Sequence, residues 1–520
     1  MRLYKDNIKL KKELQIPVNR SSAIFPFLIN DNVQTNILFL GYWFLKRNIK
    51  EILLVSTLRS KSGKIVYKEK KKINIIKSFN INVKKIFLKN GLKLLNEGSI
   101  EIEIISNENL FFPYPAVVVN YLSNISSAVV HSCGRIYNNK IDKKNNNNFL
   151  VPETGFDILP DENLKPYISF VSGPKLLKNE LITLKFSNFL GQNFIKEFIF
   201  KKVKPYETKF IEILNQNEKN FFLKKKGIVS IKHSFKDFFP RFIAGNSNKK
   251  KTVVTLTHTY YDISKEIDKK KHFLVNPDKS KYDDSVLAFP ILNRSKSYSE
   301  IVIYPNFPET KLNFSLEIYQ GNGKNVGKIK SIIKVDKKLV NPIYININSV
   351  AKLNKINLKS GVIYSGKLKV NTKSFFPSRL KFGVNLGFPK KYNIPTNICI
   401  CATNASETIL KKTKTFKWAP ILNKKKSYVI LTNSSFIKNG FKKANLNLKF
   451  WNENKNNFLV RKKKINDNGI FCFDLNKDKK MKKFLASKSG WVTIESDNPF
   501  VNGFYIEDMN SGIIGGDHIF

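Results

Sequence analysis

Five histidines occur in the 520 residues, and three of them, His131, His258 and His518, fall at or just past the end of a short apolar run. Imidazole is the side chain best suited to hold or release a proton near neutral pH and to donate or accept a hydrogen bond. Each lies near a polar neighbour in sequence: Arg135 after His131, Tyr261 after His258, Asp517 before His518. A strand-end imidazole beside an arginine, a tyrosine or a carboxylate suits a sugar hydroxyl or an anion. The competing reading is that histidine finishes the strand by bonding a neighbouring loop. Because the three belong to separate stretches of chain, they are not expected to share one ion. No metal and no cofactor is therefore assigned.

Arginine gives the second signal. All but about nine of the 91 basic residues are lysine, so an arginine at a repeated place points to its planar, bidentate fork. Arg241 follows Phe239-Pro240 directly, and Arg379 follows Phe376-Pro377 by one residue. Each is expected to brace its turn against a carbonyl or carboxylate, or to meet an anionic ligand. The binding candidates are thus His131, Arg135, Arg241, His258, Tyr261, Arg379, Asp517 and His518.

Catalytic signatures are missing from the sequence. It has no Gly-x-Ser-x-Gly elbow, no phosphate loop, no His-Glu-x-x-His and no Gly-x-Gly-x-x-Gly. Only 40 acidic residues are present, which disfavours a pair of carboxylates across a cleft. A non-enzyme is expected. The pair Asp283-Asp284 is read as surface, and Trp43, Trp418, Trp451 and Trp491 as core.

The elements that must position these residues recur along the chain. Pro290-Ile291-Leu292-Asn293 returns as Pro420-Ile421-Leu422-Asn423. Phe-Phe-Pro recurs at Pro113, Pro240 and Pro377, with Asn498-Pro499-Phe500 in the fourth place. Gly98, Gly227, Gly361 and Gly490 each open an apolar run. A period of about 130 residues is domain-sized. Within it, Leu312, Phe314, Leu316 and Ile318 alternate with polar residues, as do Ile182, Leu184 and Phe186, and Leu446, Leu448 and Phe450. Period two marks half-buried strands. Helical spacing is confined to 5–14 and 478–485.

The expected fold is all-β: a tandem array of four related antiparallel β-sandwich domains. A lead-in covers 1–35, and units cover 36–165, 166–296, 297–426 and 427–520, the last without a tail. The long tails of the first two units are expected to cross to the next domain. From each turn proline to its strand end (His131, His258, Cys401, His518) the distance is similar, with extra residues in the third unit expected to bulge at 387–395.

The run Gly490-Trp491-Val492-Thr493-Ile494-Glu495-Ser496-Asp497-Asn498-Pro499 resembles a stretch late in the small β-sandwich domains of the sensory-rhodopsin-transducer family. The resemblance covers about 15 residues of one unit. It implies a sandwich with a ligand-binding face in an oligomerising protein, and it assigns no functional residue.

Formal net charge is +51. Such a charge attracts polyanions by long-range attraction and counterion release, but base reading leans on arginine, so sequence-specific nucleic-acid binding is not expected. Cys133, Cys399, Cys401 and Cys472 are too few and scattered for a disulfide scaffold and read as small apolar residues. With no secretory signal and no apolar span of membrane length, a cytoplasmic protein without a transmembrane segment is expected. The functional expectation is a non-enzymatic binding protein that recognises glycan or another polyanion through repeated weak sites. The alternative is a scaffold for protein–protein assembly, and a third reading is an enzyme with its site between units.

Overall fold

The alternating runs become strands with one face in a core. In Leu177–Ser187, Ile182, Leu184 and Phe186 are buried while Lys178 and Lys185 face water. The computed structural model describes residues 19–108, 110, 116–131, 135–136, 153–159, 161–235, 238–239, 241–248, 252–266, 268–293, 296–388, 390–454 and 457–520. It is mostly strand, in small antiparallel sheets.

The first unit defines the plan. Its strands are β1 (Asn19–Leu28), β2 (Val33–Leu40), β3 (Ile52–Ser60), β4 (Ile65–Ile73), β5 (Ser78–Asn82), β6 (Glu97–Ser106), β7 (Val117–Ser123) and β8 (Ser127–Val130). They form two sheets, ordered β1-β6-β3-β4 and β5-β2-β7-β8. The same order returns three more times. Counterparts of β1 are Glu153–Ile158, Ser285–Asn293 and Thr415–Ile421; those of β8 are Val253–His258, Ile398–Cys401 and Ile514–His518. In the second unit, Ile168 and Phe170 from one sheet pack with Ile182, Leu184, Phe186 and Val229 from the other. Each such side chain removed from water contributes about 2 kcal/mol.

Strand pairing assigns more chain to each unit than alternation suggests. Asn19–Leu28, inside the expected lead-in, pairs along its whole length with β6. The three counterparts of β1 likewise precede the expected starts at 166, 297 and 427 and pair with the sheets that follow. Ser285–Asn293 is buried on both faces, so it reads as a continuous apolar run without a period-two signal.

The repeated glycines serve two different ends. A Cβ on Gly98 would lie 2.1 Å from the Arg59 carbonyl, whereas Gly361 has open space around it and a φ of +81°. The first permits close strand approach, and the second supplies a left-handed turn.

The tails do cross. Arg135–Ile136 pairs with Phe238–Phe239 of the second unit, and Phe273–Leu274 pairs with Phe376–Pro377 of the third. Helices are short. Lys479–Leu485 lies in the expected stretch, its N-terminus capped by Asp478, whose carboxylate accepts from the Met481 N–H. Tyr42–Arg47, Val83–Lys89 and Ile347–Leu353 are further helices. The expected helix at 5–14 and the turns at Pro113 and Pro240 lie outside the described residues.

The units close into a ring. β8 lies against its counterparts from the second and fourth units, and that of the third unit lies against the same two. Around the outside, the β3–β4 hairpin tip of each unit docks on the start of the β5-type strand of the next. The Thr208 N–H donates to the Lys61 carbonyl at 2.9 Å, Ile470 to Gly321 at 3.1 Å, and Ser78 to Asn452 at 2.8 Å. Between the second and third units, the Asn341 side chain lies against Gly191. One head-to-tail contact used four times closes when its rotation is near a quarter turn.

Candidate functional site

Ring closure brings the four β8-type strands to a common axis. Their approach is tight: a Cβ on Gly515 would sit 1.7 Å from the Ser127 carbonyl. At the C-terminal end of these strands stand His131, His258 and His518, with Cys401 ending the third-unit strand. The His131 ring lies 4.8 Å from that of His258 and 4.7 Å from that of His518, edge to face in both cases. One nitrogen from each of the three rings falls within 4.8 Å of the other two. The expectation that imidazoles in separate units stay apart is overturned. The repeat sends every unit's strand end to the same axis, so separation along the chain becomes proximity in space.

Two of the rings are oriented by acceptors. His131 Nδ1 meets Asp517 Oδ2 at 2.7 Å, and His518 Nδ1 meets the Ile519 carbonyl at 2.9 Å. Both partners accept, so each Nδ1 carries a proton, and in the neutral ring the lone pair then sits on Nε2. His258 is contested. Its Nδ1 lies 3.3 Å from the Thr259 carbonyl, which requires a proton there, and 3.2 Å from an Arg241 Nη2, which requires a lone pair. Burial, then the nearby Arg241 guanidinium, hold the His258 pKa well below its ordinary value. Burial also depresses His518, to about 4. Burial alone would raise the Asp517 carboxyl, but the adjacent His131 and His518 rings and their hydrogen bonds outweigh it and hold it low.

The surroundings are basic and aromatic. Phe520 lies 4.6 Å from the His131 ring, and Tyr260 4.6 Å from that of His258. Lys381 Nζ stands 3.8 Å over the Tyr260 ring. Its pKa is lowered, chiefly by burial and further by Arg379 and Arg241, although a hydrogen bond with Cys401 opposes the shift. The Tyr260 hydroxyl donates to the Cys399 carbonyl, and burial pushes the Cys399 thiol up to about 12.

Of the eight sequence candidates, His131, His258, His518, Asp517 and Arg241 come together. Arg241 reaches His258 and lies 4.0 Å from the Glu153 carboxylate, so a carboxylate does face this turn arginine. Arg379 is half-buried and near Lys381. Arg135 pairs by backbone with Phe239, and Tyr261 with Glu153; their side chains lie outside the described residues. Sequence reasoning missed Tyr260, Lys381 and Glu153. The one available signal was their nearness in sequence to His258, Arg379 and the first strand of the second unit.

At the other end of the axis, the turns leading into the same strands enclose a cavity of about 470 Å³. Ile125, Leu164, Tyr392, Ile394 and Ile513 line it, so every unit contributes. The extra residues of the third unit form the long connection between Lys381–Gly387 and Ile398–Cys401. It docks on the fourth unit through Tyr392 N to the Ser511 carbonyl at 2.9 Å and Ile394 N to that of Gly512 at 3.1 Å.

Two other readings resolve away from the axis. Asp283 and Asp284, expected at the surface, are 2% and 1% exposed. Asp284 accepts from Asn276 and from the Thr372 N–H, and Asp283 pairs with Lys369 at 3.3 Å. Buried carboxylates persist because donors surround them. All four tryptophans are buried, as expected.

No family model matches this chain, and no curated protein matches it in sequence.

Proposed function

We propose that the protein is a non-enzymatic, multivalent binding protein that holds an acidic glycan or similar polyanion along its outer strands. The observation that carries this reading is the repeated lysine-rich edge. β4 exposes Lys68, Lys70, Lys71 and Lys72, and its counterpart Phe458–Ile465 exposes Lys462, Lys463 and Lys464. The second and third units present Lys201 and Lys202, and Lys328, Lys330 and Lys334, on the same edge strand. Edge lysines also block strand-to-strand aggregation. Here, however, they recur at equivalent places around a closed ring, so weak contacts with one long ligand add as avidity.

On the fourth unit the edge borders a groove of about 870 Å³, lined by Lys414, Phe416, Asn447, Lys462, Lys464 and Glu495. An aromatic ring among amides and ammonium groups suits a charged sugar: the ring covers an apolar face while the polar groups meet hydroxyls and acids.

The test is retention on immobilised acidic polysaccharide at about 0.15 M and 0.5 M salt. A built glycan site keeps part of its retention at the higher salt, whereas a mere polycation loses it steeply through counterion release. Substituting Lys462, Lys463 and Lys464 together by Gln is expected to lower the eluting salt. Absence of retention at the lower salt defeats the reading. The ring then stands as a scaffold, an alternative favoured by the head-to-tail docking that fixes four sandwiches in one frame.

A further inference from the structure

We propose that His131, His258 and His518 together bind one divalent late-transition-metal ion, of the zinc, nickel or cobalt class, which ties the first, second and fourth units at the ring axis. The nitrogens converge to within 4.8 Å of one another. Metal–imidazole bonds of about 2.0–2.1 Å in tetrahedral geometry place ligand nitrogens about 3.4 Å apart, so the rings need draw in by little more than an ångström. Imidazole donors of this kind suit zinc, nickel, copper and cobalt and are poor partners for magnesium or calcium.

The second shell fits as well. Asp517 on His131 and the Ile519 carbonyl on His518 are acceptors of the type that fix metal-ligating histidines in the Nδ1–H tautomer. For His258 the Thr259 carbonyl offers the same service. Metal binding selects that arrangement and turns Arg241 from His258 toward Glu153, already 4.0 Å away. His131 and His518 are only partly buried, which leaves a way in from solvent. Cys401 completes the pseudo-fourfold set, but it is engaged by Lys381 and is not counted as a ligand.

The experiment is titration of chelator-stripped full-length protein at pH 7.5 with zinc, nickel or cobalt chloride, and with magnesium chloride as the control. One transition-metal ion per chain is expected, with a dissociation constant of about 1 µM or lower and no response to magnesium. His131→Gln and His518→Gln are each expected to weaken binding by about 100-fold. His272→Gln, at a histidine bonded to the Glu266 carbonyl outside the cluster, is expected to leave it unchanged. As a measurement on the unaltered protein, zinc is expected to protect His131 and His518 from acylation by diethyl pyrocarbonate, read by mass spectrometry. Binding that survives the cluster substitutions, falls with His272→Gln, or leaves His131 and His518 unprotected overturns the proposal.

Discussion

At one end of the ring axis, the last strands of the units deliver three imidazoles, a thiol and a carboxylate; at the other, the turns entering those strands deliver Ile125, Ile394, Ile513 and Tyr392. The strands between are shared and pinned together at Gly515 against Ser127. The apolar end gains most of its cohesion from removal of surface from water, with the Tyr392 and Ile394 N–H groups donating to the Ser511 and Gly512 carbonyls beside it. The polar end holds groups in set orientations by hydrogen bonds, as His131 on Asp517 illustrates. One end therefore contributes stability, and the other specificity of contact. The division is open to direct attack.

The largest effect is expected midway, where both ends depend on one close contact. Gly515→Val places a branched side chain where a single Cβ already falls 1.7 Å from a backbone oxygen. A loss of about 3 kcal/mol or more is expected in denaturant unfolding, with both ends disturbed. If Gly515→Val unfolds like the parent, the strands do not meet as described.

Next comes the apolar end by itself. Ile513, 1% exposed, is expected to cost about 2–4 kcal/mol on replacement by Ala. Metal affinity at the imidazoles should stay within about threefold, because distant sites add independently. A coupled loss of both would merge the two ends into one cooperative element.

A smaller effect, visible only against pH, belongs to Glu507 near the same turn. Burial pushes its carboxyl up to about 7, although Ser427 and the Leu422 N–H donate to it. A raised carboxyl binds its proton more tightly in the folded chain. Stability from this group is therefore full below about pH 4.5 and declines as pH rises to about 7, by up to about 3 kcal/mol. Glu507→Gln should flatten that part of the pH–stability curve, and an unchanged slope would remove Glu507 as its source.

Smallest of all is the change expected at the polar end without metal. His131→Gln should cost less than about 1 kcal/mol in thermal or denaturant unfolding, since the ring is only partly buried and the amide can still donate to Asp517. A loss as large as that at Ile513 would make the imidazole cluster a second core.

The strands were legible because alternation at Leu312, Phe314, Leu316 and Ile318 is a local signal. The first strand of the third unit was not, since Ser285–Asn293 is covered on both faces and carries no alternation. Equivalence of His131, His258 and His518 could be read from spacing, but their meeting could not. It depends on hairpin tips such as Lys61, Gly321 and Asn452 docking through backbone carbonyls, and a carbonyl is common to every residue type. Burial of Asp283 and Asp284 escaped for a related reason: of their donors, Lys369 lies on the distant strand Val362–Asn371, Thr372 just past it, and Asn276 in the preceding loop.

Writing all four sandwiches into one polypeptide has an evolutionary consequence. In a ring of four identical subunits, any codon change at the axis appears four times at once, and a crowded centre must accept all copies or none. Here each position drifts alone. Cys401 ends the third-unit strand where His258 and His518 end theirs, and only the third unit carries the long connection between Lys381–Gly387 and Ile398–Cys401. Such a molecule can acquire a three-plus-one arrangement at its axis by single substitutions.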